Sequence, residues 1–274
     1  MRNHKINIWE NLHYLGAADD GFQPTLTTYI LNGNQLRPAV LICPGGGYSR
    51  VSPREAEPVA LQYNAAGLHA FVLDYSVAPR KHPLPLRDVA RAICLIRENA
   101  AAWQVNPEKI AVCGFSAGGH LAASLGVHWE HPCLKGVAGI TSTLTRPNAL
   151  ILGYPVISFG PFRNQESFIN LLGDQAPDSL LREFSLELQV KEETPPVFLW
   201  HSYVDQVVPV ENTLLFANAL RQKGIPFELH IFPDGPHGLS LATAETADQK
   251  RGVYPHVARW MQLCIEWLRE TFKD

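Results

Sequence analysis

The chain has 274 residues, a net charge of −3, 46% hydrophobic residues and 18% charged residues. This length suffices for one large domain with a full core, and the composition is typical of a globular protein. Because there is no basic stripe, we expect neither nucleic acid nor an anionic membrane as a partner. No apolar run approaches 18 residues, so the sequence predicts no membrane-spanning helix.

The five cysteines are scattered along the chain, are odd in number and form no C-x-x-C pair. This pattern is typical of small buried thiols and not of a disulfide framework or a zinc site. The first ten residues contain no apolar segment of a secretory signal. We therefore expect a reducing, cytoplasmic setting.

Short apolar runs predict eight strands, at residues 6–9, 25–31, 39–42, 70–73, 110–115, 149–158, 197–200 and 227–232. Helices are predicted at 55–66, 86–103, 117–127, 211–223 and 254–272. Since strands and helices alternate from residue 39 onward, we predict an α/β fold. Its sheet should be mostly parallel and twisted, with about eight strands and helices on both faces.

Residues 159–196 have the least regular pattern, with one short helix predicted around 166–172. We interpret 1–274 as a single domain in which 159–196 is an insertion over the active-site edge. In open parallel sheets, ligands bind at the carboxyl ends of the strands. The glycine-rich and polar loops of this chain follow predicted strands, which is the expected placement for a site.

Ser116 is the central residue of Gly114-Phe115-Ser116-Ala117-Gly118, which fits the pattern G-x-S-x-G. A buried strand precedes it and a helix of small residues follows, the context that a nucleophile elbow requires. Glycines on both sides remove Cβ atoms that would clash in such a tight turn. The pattern predicts Ser116 as a nucleophile, with a glycine-rich turn and an incidental serine as the alternative.

A serine nucleophile needs a base, and a histidine base needs a carboxylate to orient its ring. In α/β-hydrolases these residues occur in the order Ser, Asp or Glu, His. Asp205 and His237 fit that order, and each follows a predicted strand. We therefore predict Asp205 as the orienting acid and His237 as the base.

Other acids and histidines remain as weaker alternatives. Asp174 and Asp178 lie in the irregular segment, and His256 lies at the start of the closing helix. We interpret the remaining histidines as packing, capping or support residues: His120 in the nucleophile helix, His201 before the acid, and His230 within a strand.

Attack on a carbonyl develops an oxyanion, which requires N–H donors already in place. We expect one donor from Ala117 and another from Gly46 or Gly47, in the glycine run after strand 39–42. Tyr48 adjoins this run. It either stacks on a sugar as a substrate-binding residue or packs against the protein.

The motifs PGGGY, GFSAGGH, HSYVDQVVP and FPDGPHG, in this order and spacing, resemble the α/β-hydrolase esterases. The resemblance covers about residues 39–270 and is strongest to the acetyl-xylan-esterase-like and lipase-like bacterial branch. It implies Ser116 as nucleophile, Asp205 as acid and His237 as base. The hormone-sensitive-lipase branch carries H-G-G-G, whereas this chain has CPGGG at 43–47, which favours the carbohydrate-esterase-like branch.

We accordingly expect a serine carboxylic-ester hydrolase that forms an acyl-enzyme on short acyl esters, acetyl esters in particular. The resemblance suggests acetylated xylo-oligosaccharides as small-molecule substrates, and no cofactor or metal is expected. The alternatives are a prolyl-oligopeptidase-like serine peptidase and a non-catalytic ligand-binding homologue. The sequence is compatible with a homo-oligomer but does not specify one.

Overall fold

The computed structural model describes residues 2–16 and 20–273. In this part of the chain, eight strands form one sheet in the order β1-β2-β4-β3-β5-β6-β7-β8. The strands are β1 (Lys5–Asn7), β2 (Thr25–Tyr29), β3 (Arg37–Cys43), β4 (His69–Asp74), β5 (Val105–Phe115), β6 (Ala149–Gly153), β7 (Val197–Ser202) and β8 (Phe227–Phe232). The helices are α1 (Glu57–Ala65), α2 (Leu84–Glu98), α3 (Ala100–Trp103), α4 (Ala117–His128), α5 (Ser142–Thr145), α6 (Gln165–Leu172), α7 (Asp178–Glu183), α8 (Glu211–Gln222), α9 (Pro255–Ala258) and α10 (Trp260–Thr271).

The sheet is mostly parallel, as predicted. β2 pairs antiparallel with both β1 and β4, whereas β4, β3, β5, β6, β7 and β8 run parallel to one another. Successive strand residues face two separate cores, because side chains alternate across a strand. Leu41 and Val112 lie in the core with α2, α4 and α8, whereas Ile42 and Cys113 lie in the core with α1 and α10. Helices therefore cover both faces.

The register of the central strands places three loops side by side. Cys43 at the end of β3 pairs with Gly114, and Phe115 at the end of β5 pairs with Gly153 of β6. The glycine run after β3 is consequently adjacent to the turn that holds Ser116.

Several element boundaries differ from the prediction for local reasons. The predicted helix 86–103 is interrupted at Asn99, whose amide donates to the Leu95 carbonyl. The predicted strand 149–158 ends at Gly153, because Tyr154 adopts a φ of +36°. Residues 159–196 form two helices, α6 and α7, and a 3-10 turn at Leu186–Leu188 instead of one helix.

All five cysteines are free thiols, and four of them are buried. Among the helices of the described ranges, none has the length and apolar character needed to cross a bilayer. The cytoplasmic setting stays a prediction.

Candidate active site

The turn between β5 and α4 holds Ser116 in a strained conformation. Its φ of +53° and ψ of −121° lie outside the regions that residues with side chains usually adopt. A Cβ on Gly114 would lie 2.1 Å from the Gly118 carbonyl oxygen, and one on Gly118 would lie 2.1 Å from the Cys43 carbonyl oxygen. Only glycine fits at both positions, so the elbow packs directly on β3 and presents the serine hydroxyl at the sheet edge.

Ser116, His237 and Asp205 form one chain of hydrogen bonds. The His237 Nε2 atom lies 2.8 Å from Ser116 Oγ, and its Nδ1 atom lies 2.6 Å from Asp205 Oδ2. A carboxylate only accepts, so Nδ1 carries the proton and Nε2 is the acceptor for the serine hydroxyl. This tautomer leaves the imidazole ready to take the serine proton.

The Asp205 carboxylate is buried and fully partnered. Its Oδ1 atom accepts the N–H groups of Val207 and Val208 at 2.9 and 3.0 Å. His201 Nε2 lies 2.9 Å from the Val208 carbonyl oxygen and 3.3 Å from Asp205 Oδ2, and its Nδ1 atom lies 2.7 Å from the Thr213 hydroxyl. Although burial opposes ionisation, hydrogen bonds from His201 and His237 hold the pKa of Asp205 well below its usual range. The acid is therefore a fixed negative charge.

The loop that carries His237 is held by two arginines. Arg251 Nε donates to the His237 carbonyl at 3.0 Å, and Arg54 Nη1 donates to the Gly238 carbonyl at 2.8 Å. Gly238 adopts a φ of +79°, which favours glycine. The Tyr154 ring contacts the imidazole edge-on, with centroids 5.0 Å apart. These contacts fix the orientation of the imidazole.

The glycine run after β3 is anchored at its start. The Tyr75 hydroxyl donates to the Pro44 carbonyl at 2.6 Å, and the Gly45 N–H donates to Glu55 Oε2 at 2.8 Å. Both anchoring side chains are buried. Buried side chains thus hold the start of the run in place.

Three backbone N–H groups beside Ser116 are free to bind a ligand. Within residues 2–16 and 20–273, the amides of Gly46, Gly47 and Ala117 donate to no protein acceptor. Gly46 and Gly47 have φ values of +131° and +62°, and both line the same cleft as Ser116. These amides are the donors that an oxyanion would require.

The side chain of Tyr48 packs against the protein, which corrects the prediction of a sugar contact. It is 1% exposed, and its hydroxyl lies 3.0 Å from His120 Nδ1. His120 in turn donates from Nε2 to the Phe184 carbonyl at 3.0 Å. The buried ring contacts Tyr75 and His120 edge-on and does not line the cleft.

The other sequence candidates lie apart from this hydrogen-bond chain. Asp178 begins α7, His230 pairs with Glu228 at 2.7 Å, and His256 packs edge-on against Phe232. None of them lines the cleft with Ser116 and His237.

The cleft has a volume of about 490 Å³ and a lining that combines polar and apolar surface. Its walls come from the glycine run, the acid and base loops and the segment 159–196. The polar side chains include Arg50, Asn164, Glu166, Lys250 and Arg251.

Glu55 and Tyr154 belong to the site, although no sequence pattern predicted a role for them there. The Tyr154 hydroxyl donates to Glu55 Oε1 at 2.6 Å and accepts the Ser240 N–H at 2.8 Å. Burial and the nearby carboxylate raise the pKa of Tyr154 well above its ordinary value, so the hydroxyl stays a donor. No local pattern marks these residues, because their partners are distant in the chain.

The mostly parallel sheet, the serine elbow and the Ser-Asp-His order together define an α/β-hydrolase. Residues 29–220 match the BD-FAE family, and the chain belongs to it. The matched region contains Ser116 and Asp205 but ends before His237, so the position of His237 rests on the geometry above.

Two curated relatives and one crystal structure are similar to the chain. Endo-1,4-beta-xylanase B of Butyrivibrio fibrisolvens is 41% identical over 89% of this chain and 39% of its own length. The acetylxylan esterase of Xylanibacter ruminicola is 31% identical over 84% of this chain and 46% of its own. The chain thus spans less than half the length of these relatives. The acetyl ester-xyloside bifunctional hydrolase of Caldicellulosiruptor lactoaceticus superposes with a TM-score of 0.90, at 42% identity, over 98% of this chain and 96% of that chain.

Proposed function

We propose that this chain is a serine carboxylic-ester hydrolase that acts on short acyl esters, acetylated xylo-oligosaccharides in particular. The observation that carries the proposal is the hydrogen-bonded chain from Asp205 through His237 to Ser116, beside unpaired backbone amides. A base, an oriented nucleophile and oxyanion donors are the parts that acyl transfer needs.

In this mechanism Ser116 Oγ attacks the ester carbonyl while its proton passes to His237 Nε2. Asp205 stabilises the imidazolium, and the amides of Ala117 and of Gly46 or Gly47 bind the oxyanion. Collapse of the intermediate expels the alcohol, which takes the proton from His237. Water then gives a proton to His237 and attacks the acyl-enzyme. The second intermediate expels Ser116 Oγ, which takes that proton from His237 as the acid is released.

Two findings support an acetylated sugar as substrate. The relatives include an acetylxylan esterase and an acetyl ester-xyloside bifunctional hydrolase. The cleft beside Ser116 is lined by charged and amide side chains that can bind hydroxyl groups. The peptidase alternative has no comparable support.

The test is acetate release from acetylated xylo-oligosaccharides, beside p-nitrophenyl esters of increasing acyl length. We expect acetate release and a kcat/KM that falls as the acyl chain lengthens. Ser116→Ala should lower kcat by about 10⁴–10⁶-fold, as loss of a triad nucleophile does elsewhere. Ser142→Ala, at an exposed serine of α5, is the matched control and should be unaffected.

Other outcomes would contradict the proposal. If Ser116→Ala lost less than tenfold in kcat, Ser116 would not be the nucleophile. Hydrolysis of an aminoacyl-proline amide without ester hydrolysis would indicate a peptidase. Tight binding of acetylated sugars without turnover would indicate a non-catalytic homologue.

We also propose a single domain with 159–196 as an insertion, and a cytoplasmic setting. The single sheet of the described residues and the five free thiols support these two proposals. Limited proteolysis, which should cleave first in 159–196, tests the former, and fractionation of the source cells tests the latter. The homo-oligomer stays a prediction, which analytical ultracentrifugation would test.

A further inference from the structure

We propose that Glu55 is a positioning residue that couples the oxyanion loop to the loop of the catalytic base. The proposal rests on the function proposed above and assigns a part of the machinery that no triad pattern contains. Glu55 ends the 3-10 turn Pro53–Glu55 and is 3% exposed.

The two oxygens of the Glu55 carboxylate accept hydrogen bonds from two different parts of the site. Oε2 accepts the Gly45 N–H at 2.8 Å, and Oε1 accepts the Tyr154 hydroxyl at 2.6 Å. Tyr154 extends this connection to the base loop, because its hydroxyl oxygen accepts the Ser240 N–H at 2.8 Å. Ser240 lies three residues after His237, so one buried side chain joins both loops.

The position of the carboxylate suits this role. A Cβ on Gly45 would lie 2.8 Å from Glu55 Oε2 and 3.0 Å from Ser116 Cβ. Glu55 and Ser116 therefore both lie directly beside Gly45. The turn that carries Glu55 also anchors the base loop, since the Arg54 carbonyl accepts the Ser240 hydroxyl at 2.6 Å.

Glu55 helps to determine which backbone amides of the glycine run remain free to bind a ligand. By binding the Gly45 N–H, Glu55 fixes the first peptide of the run, and the next two amides stay unpaired beside Ser116. A carboxylate accepts at both oxygens, whereas an amide has one accepting oxygen and a donating NH₂. Glutamine can therefore satisfy only one of the two donors without rearrangement of the Tyr154 hydroxyl.

The test compares Glu55→Gln and Glu55→Ala with the wild-type enzyme on p-nitrophenyl acetate. It also measures Ki for a trifluoromethyl ketone, which adds to the serine and forms an oxyanion. We expect Glu55→Ala to lower kcat by about 10²-fold, the lower range for loss of an oxyanion donor. KM should change little. Ki should rise in parallel with the loss of kcat/KM, and Glu55→Gln should lie between Glu55→Ala and the wild type.

Glu57→Gln is the matched control, because this nearby carboxylate accepts the Tyr29 hydroxyl at 2.9 Å and does not line the cleft. Its kcat and Ki should equal those of the wild type. Glu55 variants with a lower melting temperature but unchanged kcat and Ki would overturn the proposal. If Glu55→Ala does not fold, Glu55→Gln decides the question.

The two proposals can fail separately. If Ser116→Ala abolishes turnover and both Glu55 variants keep wild-type kcat and Ki, the esterase function stands and the positioning role is overturned. If wild-type turnover does not depend on Ser116, both proposals are overturned.

Discussion

Two regions that meet at the cleft are built differently. The catalytic edge, which we define as the loops carrying residues 44–47, 116, 205 and 237, is tied to the sheet by buried groups such as Glu55 and Tyr75. The segment 159–196 has short helices, and α7 contains no buried residue. It contacts the catalytic edge through a few hydrogen bonds, including Asn170 Nδ2 to the Gly47 carbonyl at 2.8 Å.

We infer from this difference that the catalytic edge supplies the reacting groups, whereas the segment 159–196 affects access to them. The groups proposed for bond making lie on rigid strand ends, where a small displacement would lower the rate. The segment 159–196 packs into the core through buried side chains such as Phe168 and Phe184, but α7 has none. We therefore expect α7 to open at a lower free-energy cost than the sheet. Substitutions at the catalytic edge should therefore change kcat, whereas those in the segment should have smaller effects.

After Ser116→Ala, the largest effect is expected from Asp205→Asn. The asparagine would direct an NH₂ donor toward the Nδ1–H of His237 and would favour the wrong tautomer. We expect kcat/KM for p-nitrophenyl acetate to fall by about 10³–10⁴-fold, as in other serine triads. Asp234→Asn is the control, because this exposed side chain of the base loop accepts the N–H of its neighbour Gly235 at 2.7 Å. More than one tenth of wild-type activity in Asp205→Asn would contradict the assignment.

A smaller effect concerns His120, which joins the two regions. Burial lowers the pKa of His120 to about 4. Between about pH 6.5 and 4 the unfolded state therefore binds more protons than the folded state, and stability falls as pH falls. We expect urea unfolding at pH 7.5 and pH 5 to give a difference in unfolding free energy, to which His120 contributes on the order of 1–3 kcal/mol.

His120→Asn should reduce this pH dependence, although its stability at pH 7.5 will also be lower because the contacts to Tyr48 and Phe184 change. His13→Asn, at an exposed histidine, should leave the pH dependence unchanged. Equal pH dependence in the wild type and His120→Asn would show that His120 does not contribute.

The smallest effect is expected from Asn170→Ala, which removes the bond from the segment to the Gly47 carbonyl. The loss of one such hydrogen bond costs about 0.5–1.5 kcal/mol. Even if all of this free energy is lost from the transition state, kcat should fall by no more than roughly 2- to 10-fold. Asn34→Ala, at an exposed position distant from the cleft, is the control. A loss above 10²-fold would place the segment within the rigid catalytic edge and remove the distinction between the regions.

Some residues of the site could be predicted from the sequence and others could not, depending on whether a local pattern marks them. The turn at Ser116 and the loops after β7 and β8 were predictable because strand, glycine and polar patterns are local. Glu55 was predicted only as the start of a helix, and Tyr154 only as part of a strand. Their hydrogen bond joins residues 99 apart in the chain, and no local pattern encodes such a pair.

By itself, the sequence determined the alternation of strands and helices and the order of the candidate nucleophile, acid and base, because both depend on short segments. Only the tertiary structure decided that Ser116 and His237, 121 residues apart, lie within hydrogen-bond distance. It also decided that Tyr48 turns inward to His120 and that Glu55 joins two loops. The reason is that strand register and packing across the sheet, and not neighbouring residues, set the direction of a side chain at a strand end.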